Sequence, residues 1–340
     1  MIFFDLLGNE YFLFTLVEES MMKDREDNHA QAVEQLPDSP SSARPGLPSP
    51  DFTHRFANVD GVRLHYVRGG QPGGDTIVFL AGFPQSWYAW RKVMPYLAST
   101  RDVIAIDLPG QGDSDRLDGG YDTDALAGKV HALLQQLGVH RYGLVAHDVG
   151  AWVAYPLAAR YSDEVQALAL LDAGIPGVTL PDRLPMAPEQ AWRTWHFAFH
   201  VIPDLPEMLI TGHERQYLAW FLRRKAADPS VFSEQDLDEY LRVFTLPGGL
   251  RSGLAYYRAT PESARQNRAF AAREKLAMPV LALSADQGSI PDMAAPLRAF
   301  ADDVHGVRIA DCGHFMPEEQ PAAVASALAA FFQTSGQAAG

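Results

Sequence analysis

Cysteine is almost absent from this chain: Cys312 is the single one among 340 residues. An intramolecular disulfide is therefore excluded. The usage fits a reducing compartment, so a cytoplasmic location is expected, with the periplasm or export as the alternatives. Positive charge is also scarce, with 28 Lys and Arg against 42 Asp and Glu and a formal net charge of -14. Nucleic acid and anionic membranes select clustered Lys and Arg, so both are poor partners for such a chain. No internal repeat is visible, and no apolar run is long enough to cross a bilayer. Residues 1–17 are apolar, yet they carry Asp5, Asn9 and Glu10, have no basic leader, and reach Glu18 and Glu19 without a small-residue cleavage site. A neutral or hydrophobic small molecule is the partner these absences leave.

What is present is ordinary globular composition, 47% hydrophobic, enough for one main domain with an insertion. Residues 1–50 read as an N-terminal extension outside the fold, because Pro37-Asp38-Ser39-Pro40 and the prolines from Pro45 to Pro50 suit a flexible linker. Met21 and Met22 are alternative starts. From residue 52 short strands appear, with Asp60-Gly61 between alternating runs predicting a hairpin. Strands are then expected at 76–80, 103–106, 142–146 and 165–171. Amphipathic or helical segments at 87–97, 123–137 and 152–160 separate them. Such alternation predicts a mostly parallel sheet covered on both faces. Between 175 and 258 it stops, and a helical stretch rich in aromatics takes over, including Trp192, Trp195, Phe197, Tyr217, Trp220 and Phe221. That stretch reads as an inserted helical lid, with 51–174 and 259–335 forming the core. In the second part of the core, strands are expected at 280–283 and 307–309 and helices at 293–300 and 321–332.

The run Leu144-Val145-Ala146 ends in His147-Asp148-Val149-Gly150 and leads into a helical segment. Small residues two positions before and two after Asp148 permit a sharp strand-to-helix turn, a nucleophile elbow that pushes the reacting side chain into a site. The plain alternative is that Asp148 merely caps the helix. Asp172 ends the following strand, and His314, in Cys312-Gly313-His314-Phe315, follows the last one. Both therefore sit at the carboxyl edge of a parallel sheet, where sites form. Nucleophile, acid and histidine then occur in the order Asp148, Asp172, His314. Asp286, in Ser284-Ala285-Asp286-Gln287-Gly288, is an alternative acid or a turn residue. An aspartate nucleophile has a specific chemical use. Attack by its carboxylate on a saturated carbon leaves an ester that water can cleave, whereas serine would leave a stable ether.

The chain resembles the α/β-hydrolase fold family, in particular its epoxide hydrolase and dehalogenase branch. The matching pieces are Gly82-Phe83-Pro84-Gln85-Ser86-Trp87-Tyr88, Asp107-Leu108-Pro109-Gly110, the Asp148 elbow and Gly313-His314-Phe315-Met316-Pro317-Glu318-Glu319. Within that branch it is most similar to the Cif-type epoxide hydrolases, through Trp195-His196-Phe197, Glu214-Arg215, Tyr256-Tyr257-Arg258 and Ser263-Ala264-Arg265-Gln266-Asn267. The resemblance implies hydrolysis of a hydrophobic epoxide by water to a vicinal diol, with no cofactor and no metal. It implies Asp148 as nucleophile, His314 oriented by Asp172 as base, and the N–H groups of Phe83 and Val149 as oxyanion hole. It further implies His196 and Tyr257 as the ring-opening pair, with His200 a competitor for His196, and it allows a homodimer.

Departures from the family pattern bear on the choice of substrate. Ala81 stands where relatives carry a histidine before Gly82, leaving the Phe83 N–H available. Val149 stands where similar haloalkane dehalogenases have Trp. Val149 and Trp152 occupy places where fluoroacetate dehalogenases have arginines, so a carboxylate clamp is missing there. Gln320 replaces the Cif-type disulfide partner of Cys312. Hydrolytic dehalogenation remains the enzymatic alternative. A catalytically retired hydrolase serving as a small-molecule receptor is the other.

Overall fold

A computed structural model describes residues 52–181 and 188–337 of the chain. The N-terminal extension expected at 1–50 lies outside the described residues. The hairpin forms where Asp60-Gly61 predicted it. Strands β1 (Thr53–Val59) and β2 (Val62–Gly70) are antiparallel, with Val59 opposite Val62. Asp60 and Gly61 both have positive φ, as a two-residue turn matched to strand twist requires.

The next strands are β3 (Thr76–Leu80), β4 (Asp102–Ile106), β5 (Tyr142–His147), β6 (Val165–Leu171), β7 (Val280–Ala285) and β8 (Val304–Ile309). They build one eight-stranded sheet in the order β1-β2-β4-β3-β5-β6-β7-β8. From β4 to β8 every pairing is parallel. The central strands are buried along their whole length, because helices cover both faces. Alternate residues divide between two apolar layers. Val78, Leu80, Leu144 and Ala146 pack with α2 (Thr123–Gln136) and α3 (Val149–Arg160). Ile77, Phe79 and Val145 pack on the other side, with α1 (Met94–Ala98) and the C-terminal helix Pro321–Gln337.

Two expected helices are shorter than the sequence pattern suggested. Residues 87–97 form a 3-10 turn at Trp87–Trp90 followed by α1, which starts at Met94 and holds in its first turn Pro95, a residue that has no N–H to continue an earlier ladder. The segment 293–300 keeps only Ala294–Leu297 as helix.

Between β6 and β7 the described residues form helices alone: α4 (Pro188–His200), α5 (Leu205–Ile210), α6 (Glu214–Lys225), α7 (Glu234–Phe244), α8 (Gly249–Arg258) and α9 (Thr260–Ala271). Helix α9 packs on α2 and α3. Asn267 donates to the Pro176 carbonyl, and the Ser263 hydroxyl accepts from Thr123 N–H, so that sequence motif ties α9 to α2 and to the segment after β6. A polar cluster ties the insertion to the core. The buried carboxylate of Glu318 pairs with Arg91 at 2.5 Å and Lys92 at 2.8 Å and accepts from the Tyr240 hydroxyl at 2.5 Å, while Arg91 also pairs with Asp236. A buried carboxylate persists only when paired and hydrogen-bonded in this way.

Candidate active site

Strand β5 delivers Asp148 to the sheet's carboxyl edge with a positive φ of 51°. Non-glycine residues take such a conformation only where the surroundings over-determine it. A Cβ on Gly150 would come within 2.5 Å of the Leu80 carbonyl oxygen, and one on Gly82 within 2.3 Å of the Asp148 Cβ. Neither Gly150 in the elbow nor Gly82 on the loop facing it therefore has room for a side chain. Asp148 occupies the N-cap position of α3, yet its carboxylate makes no capping bond. Its Oδ1 instead accepts from Phe83 N–H at 3.0 Å, and its Oδ2 lies 3.4 Å from His314 Nε2. At that distance the second contact is a charge pairing with little hydrogen bond in it. The N–H of Val149, the first residue of α3, has no carbonyl one turn earlier within the helix, as at any helix start. Replacement of the usual histidine by Ala81, which is buried in the apolar layer, leaves the Phe83 bond in place.

Asp172 ends β6, also with positive φ. Its carboxylate takes Nδ1–H of His314 at 2.7 Å, Ser289 N–H at 2.8 Å and Ile290 N–H at 2.9 Å. Asp286 is exposed and turned elsewhere, accepting from the backbone N–H groups of Asp311 and Cys312. It braces the loop before His314 and makes no bond to the imidazole. Glu319 braces the same loop through Gly313, Phe315 and Ala227 N–H groups.

Burial alone would raise the Asp148 carboxyl, but the His314 imidazole beside it, with help from His147 and Lys225, holds it far below the ordinary range. Burial pulls His314 down, and the carboxylates of Asp148 and Asp172 outweigh that pull, so it titrates above an ordinary histidine. His147 is lowered to about 4, chiefly by burial; its neutral ring donates from Nε2 to the His314 carbonyl at 2.9 Å and fixes that backbone.

Asp148, Asp172 and His314 share the wall of a cavity of about 270 Å³ with Trp152, Phe197 and Ile290. His196, Arg193, Lys225, Thr194 and Ser289 add to its polar lining. His196 lines the cavity, and Tyr257 packs among the rings of Phe83, Trp152, His196 and His200, where burial and the nearby Asp148 charge push its hydroxyl well above the ordinary range. His200 turns away to the Tyr217 hydroxyl at 2.5 Å, and burial lowers it to about 3. Lys225 is the residue that sequence reasoning missed. Its signal is helical phase, since Leu218, Phe221 and Leu222 form a buried stripe that Lys225 continues. Elsewhere, His65, Asp107 and Asp113 lie close enough to suggest a metal centre. Their atoms are already engaged, because Asp107 takes His65 at 2.6 Å and the N–H groups of Trp87 and Asp113, and Asp113 pairs with Arg242.

The model of the α/β-hydrolase fold matches residues 75–321. The chain belongs to that family. This α/β hydrolase is 38% identical to the soluble epoxide hydrolase of Corynebacterium sp. (strain C12) over 288 residues, 84% of this chain and 98% of the relative. The crystal structure of Cfl2 from Burkholderia cenocepacia superposes with a TM-score of 0.82 at 64% identity, covering 83% of this chain and 96% of that one. A fluoroacetate dehalogenase of Burkholderia sp. is 30% identical over 218 residues, 61% of this chain and 69% of the relative. The hydrolase has no helix, among the described residues, long and apolar enough to cross a membrane.

Proposed function

We propose that this hydrolase opens a hydrophobic epoxide to a vicinal diol, without a cofactor, through a covalent ester on Asp148. The observation that carries the reading is the placement of the Asp148 carboxylate. One oxygen is held by Phe83 N–H, and the other faces a histidine–aspartate pair at the wall of a largely apolar cavity. Oδ2 attacks the less hindered epoxide carbon, and Oδ1 becomes the ester carbonyl oxygen, already in place for the N–H groups of Phe83 and Val149 to take its charge. Esterification removes the Asp148 charge that had raised His314. His314 then titrates lower and stands neutral, its Nδ1–H held by Asp172, as base for the water that cleaves the ester. Helices α4 to α8 act as the lid that closes the cavity, with His196 on its wall. The 38% identity to a soluble epoxide hydrolase supports the same reading.

Hydrolytic dehalogenation is the second reading. Arg193 and Lys225 put positive charge on the cavity wall that the missing arginines at Val149 and Trp152 would otherwise have supplied for a carboxylate substrate. The deciding experiment treats His314→Ala with a panel of epoxides and haloacids and weighs the Asp148 peptide. A mass increase equal to the epoxide is expected. An unmodified peptide across the epoxides refutes the ester mechanism, and halide release without any epoxide turnover selects the dehalogenase.

A further inference from the structure

Lys225 is 6% exposed, lines the cavity beside Asp148 and His314, and forms no ion pair among the described residues. Its ammonium lies 3.5 Å from His196 Nε2 and 4.6 Å from the centre of the Phe221 ring. An uncompensated buried ammonium is costly to keep, so its presence on an otherwise apolar helix stripe calls for a use. In this contact the ammonium can only donate and His196 Nε2 can only accept, and at 3.5 Å the bond is long. His196 Nδ1 is buried without a partner. Lys225 thus puts a cationic proton donor on the cavity wall within reach of the Asp148 charge.

We propose that Lys225 is a further catalytic residue of ring opening: beside His196, its ammonium gives the proton that the epoxide oxygen takes up as its C–O bond breaks. The role rests on the epoxide reading above. In the first step an electron pair of Asp148 Oδ2 forms the new C–O bond. The epoxide C–O pair goes to the departing oxygen, and a proton passes from Nζ to that oxygen, leaving a neutral amine. In the second step His314 takes one proton from water and returns it to the departing diol oxygen. The proton left on the regenerated Asp148 acid goes back to the Lys225 amine, so epoxide and water become diol with nothing else consumed. Burial brings the Lys225 ammonium down to about 8, against the opposing pull of Asp148 and Asp172. A donor near neutrality can both give and recover its proton in each turnover. The charged or titratable groups facing it are Asp148, Asp172, His314, His196 and Arg193 on the cavity wall, with His200 on the same face of α4.

The test follows ester formation on Asp148 by rapid quench and mass spectrometry, from pH 6 to 10, in the parent, Lys225→Met and Lys225→Arg. Both variants keep the main-chain carbonyl that accepts from His314 N–H. The parent's esterification rate is expected to fall as pH rises through about 8. Methionine should slow esterification about 100-fold and abolish that fall. Arginine, which keeps the charge but cannot release its proton, should fail to restore the rate. Hydrolysis of ester already formed should change less than about 3-fold in either variant, since His314 drives that step. Parental esterification in Lys225→Arg would reduce the lysine to a fixed charge and overturn the proposal. So would an alkaline fall that persists in Lys225→Met, or a parent rate flat across the range, which needs no variant to fold. If the parent forms ester and diol while Lys225→Met matches it, the lysine role alone fails. If no epoxide esterifies Asp148 in the parent, the epoxide reading fails and takes this role with it.

Discussion

Replacing Asp172 by Asn separates the two half-reactions and also decides between the candidate acids. The carboxylate accepts three hydrogen bonds, two at Oδ2 from Ser289 N–H and His314 Nδ1–H and one at Oδ1 from Ile290 N–H. An asparagine oriented to keep the Oδ2 pair must point its NH2 group at Ile290 N–H, so one buried bond is lost, at a stability cost of about 1–3 kcal/mol. The kinetic loss is larger. Without the negative charge His314 loses one of the neighbours that raise it, and its Nδ1–H tautomer is no longer enforced. Hydrolysis of the ester should therefore slow by roughly 10²–10⁴-fold. Esterification depends on Asp148 and its Phe83 contact, both untouched, and should stay within about 3-fold of the parent. Rapid-quench mass spectrometry should consequently show nearly all of Asp172→Asn as ester at steady state. Residual hydrolysis should have its acid limb shifted to lower pH, because removing a carboxylate beside an imidazole lowers its titration point. Asp286→Asn, which loosens only the Asp311–Cys312 turn, should hydrolyse its ester normally. Ester accumulating in Asp286→Asn while Asp172→Asn turns over freely would refute the assignment.

Two further perturbations probe the fold around the same site. Gly150→Ala would place a Cβ 2.5 Å from the Leu80 main-chain oxygen, with no flexible side chain to yield, so a loss of about 1–3 kcal/mol in urea unfolding and a displaced Asp148 are expected. Unchanged stability and turnover would show that the elbow tolerates the methyl. Lys225→Met should stabilise the protein at pH 7. The drop from 10.5 to about 8 is some 2.5 units, or about 3 kcal/mol carried by the folded chain below pH 8. Leaving His196 Nε2 without its donor returns about 1 kcal/mol of that. The folded group is the weaker base, so the penalty is complete below about 8 and vanishes as pH approaches 10.5, and the gain should fade accordingly. A variant less stable than the parent at pH 7 would contradict it.

The sheet was legible because its strands carry their own evidence. The segments 76–80 and 165–171 are apolar apart from Thr76 and Gln166 and are bounded by turn residues, and they appear as β3 and β6 with those limits. The segment 87–97 was less legible. Apolar periodicity marks a face that will be buried, but it does not register that Pro95 divides the segment, so one expected helix became a 3-10 turn and a short helix. Asp148, Asp172 and His314 were legible for a related reason. Each follows a recognisable strand, and a parallel sheet gathers the ends of its strands at one edge, so position along the chain predicted position in space.

No such rule applied to the helical insertion. Both His196 and Tyr257 had family motifs around them, yet the motif could not say how each would stand to the cavity; that depends on how α4 and α8 rotate against Trp152 and Phe83. Lys225 looked like the last of three basic residues, Arg223-Arg224-Lys225, at a helix C-terminus, where cations are ordinary. Its phase with Leu218, Phe221 and Leu222 marked it as buried, but burial alone does not identify a partner. That partner is supplied by α4, 29 residues earlier in the chain, and the cavity by loops after β5, β6, β7 and β8 together with the helical insertion. The elbow can be read from five consecutive residues, because backbone geometry creates it. The proton donor opposite it exists only where separate helices and loops converge, and is visible only once the chain has folded.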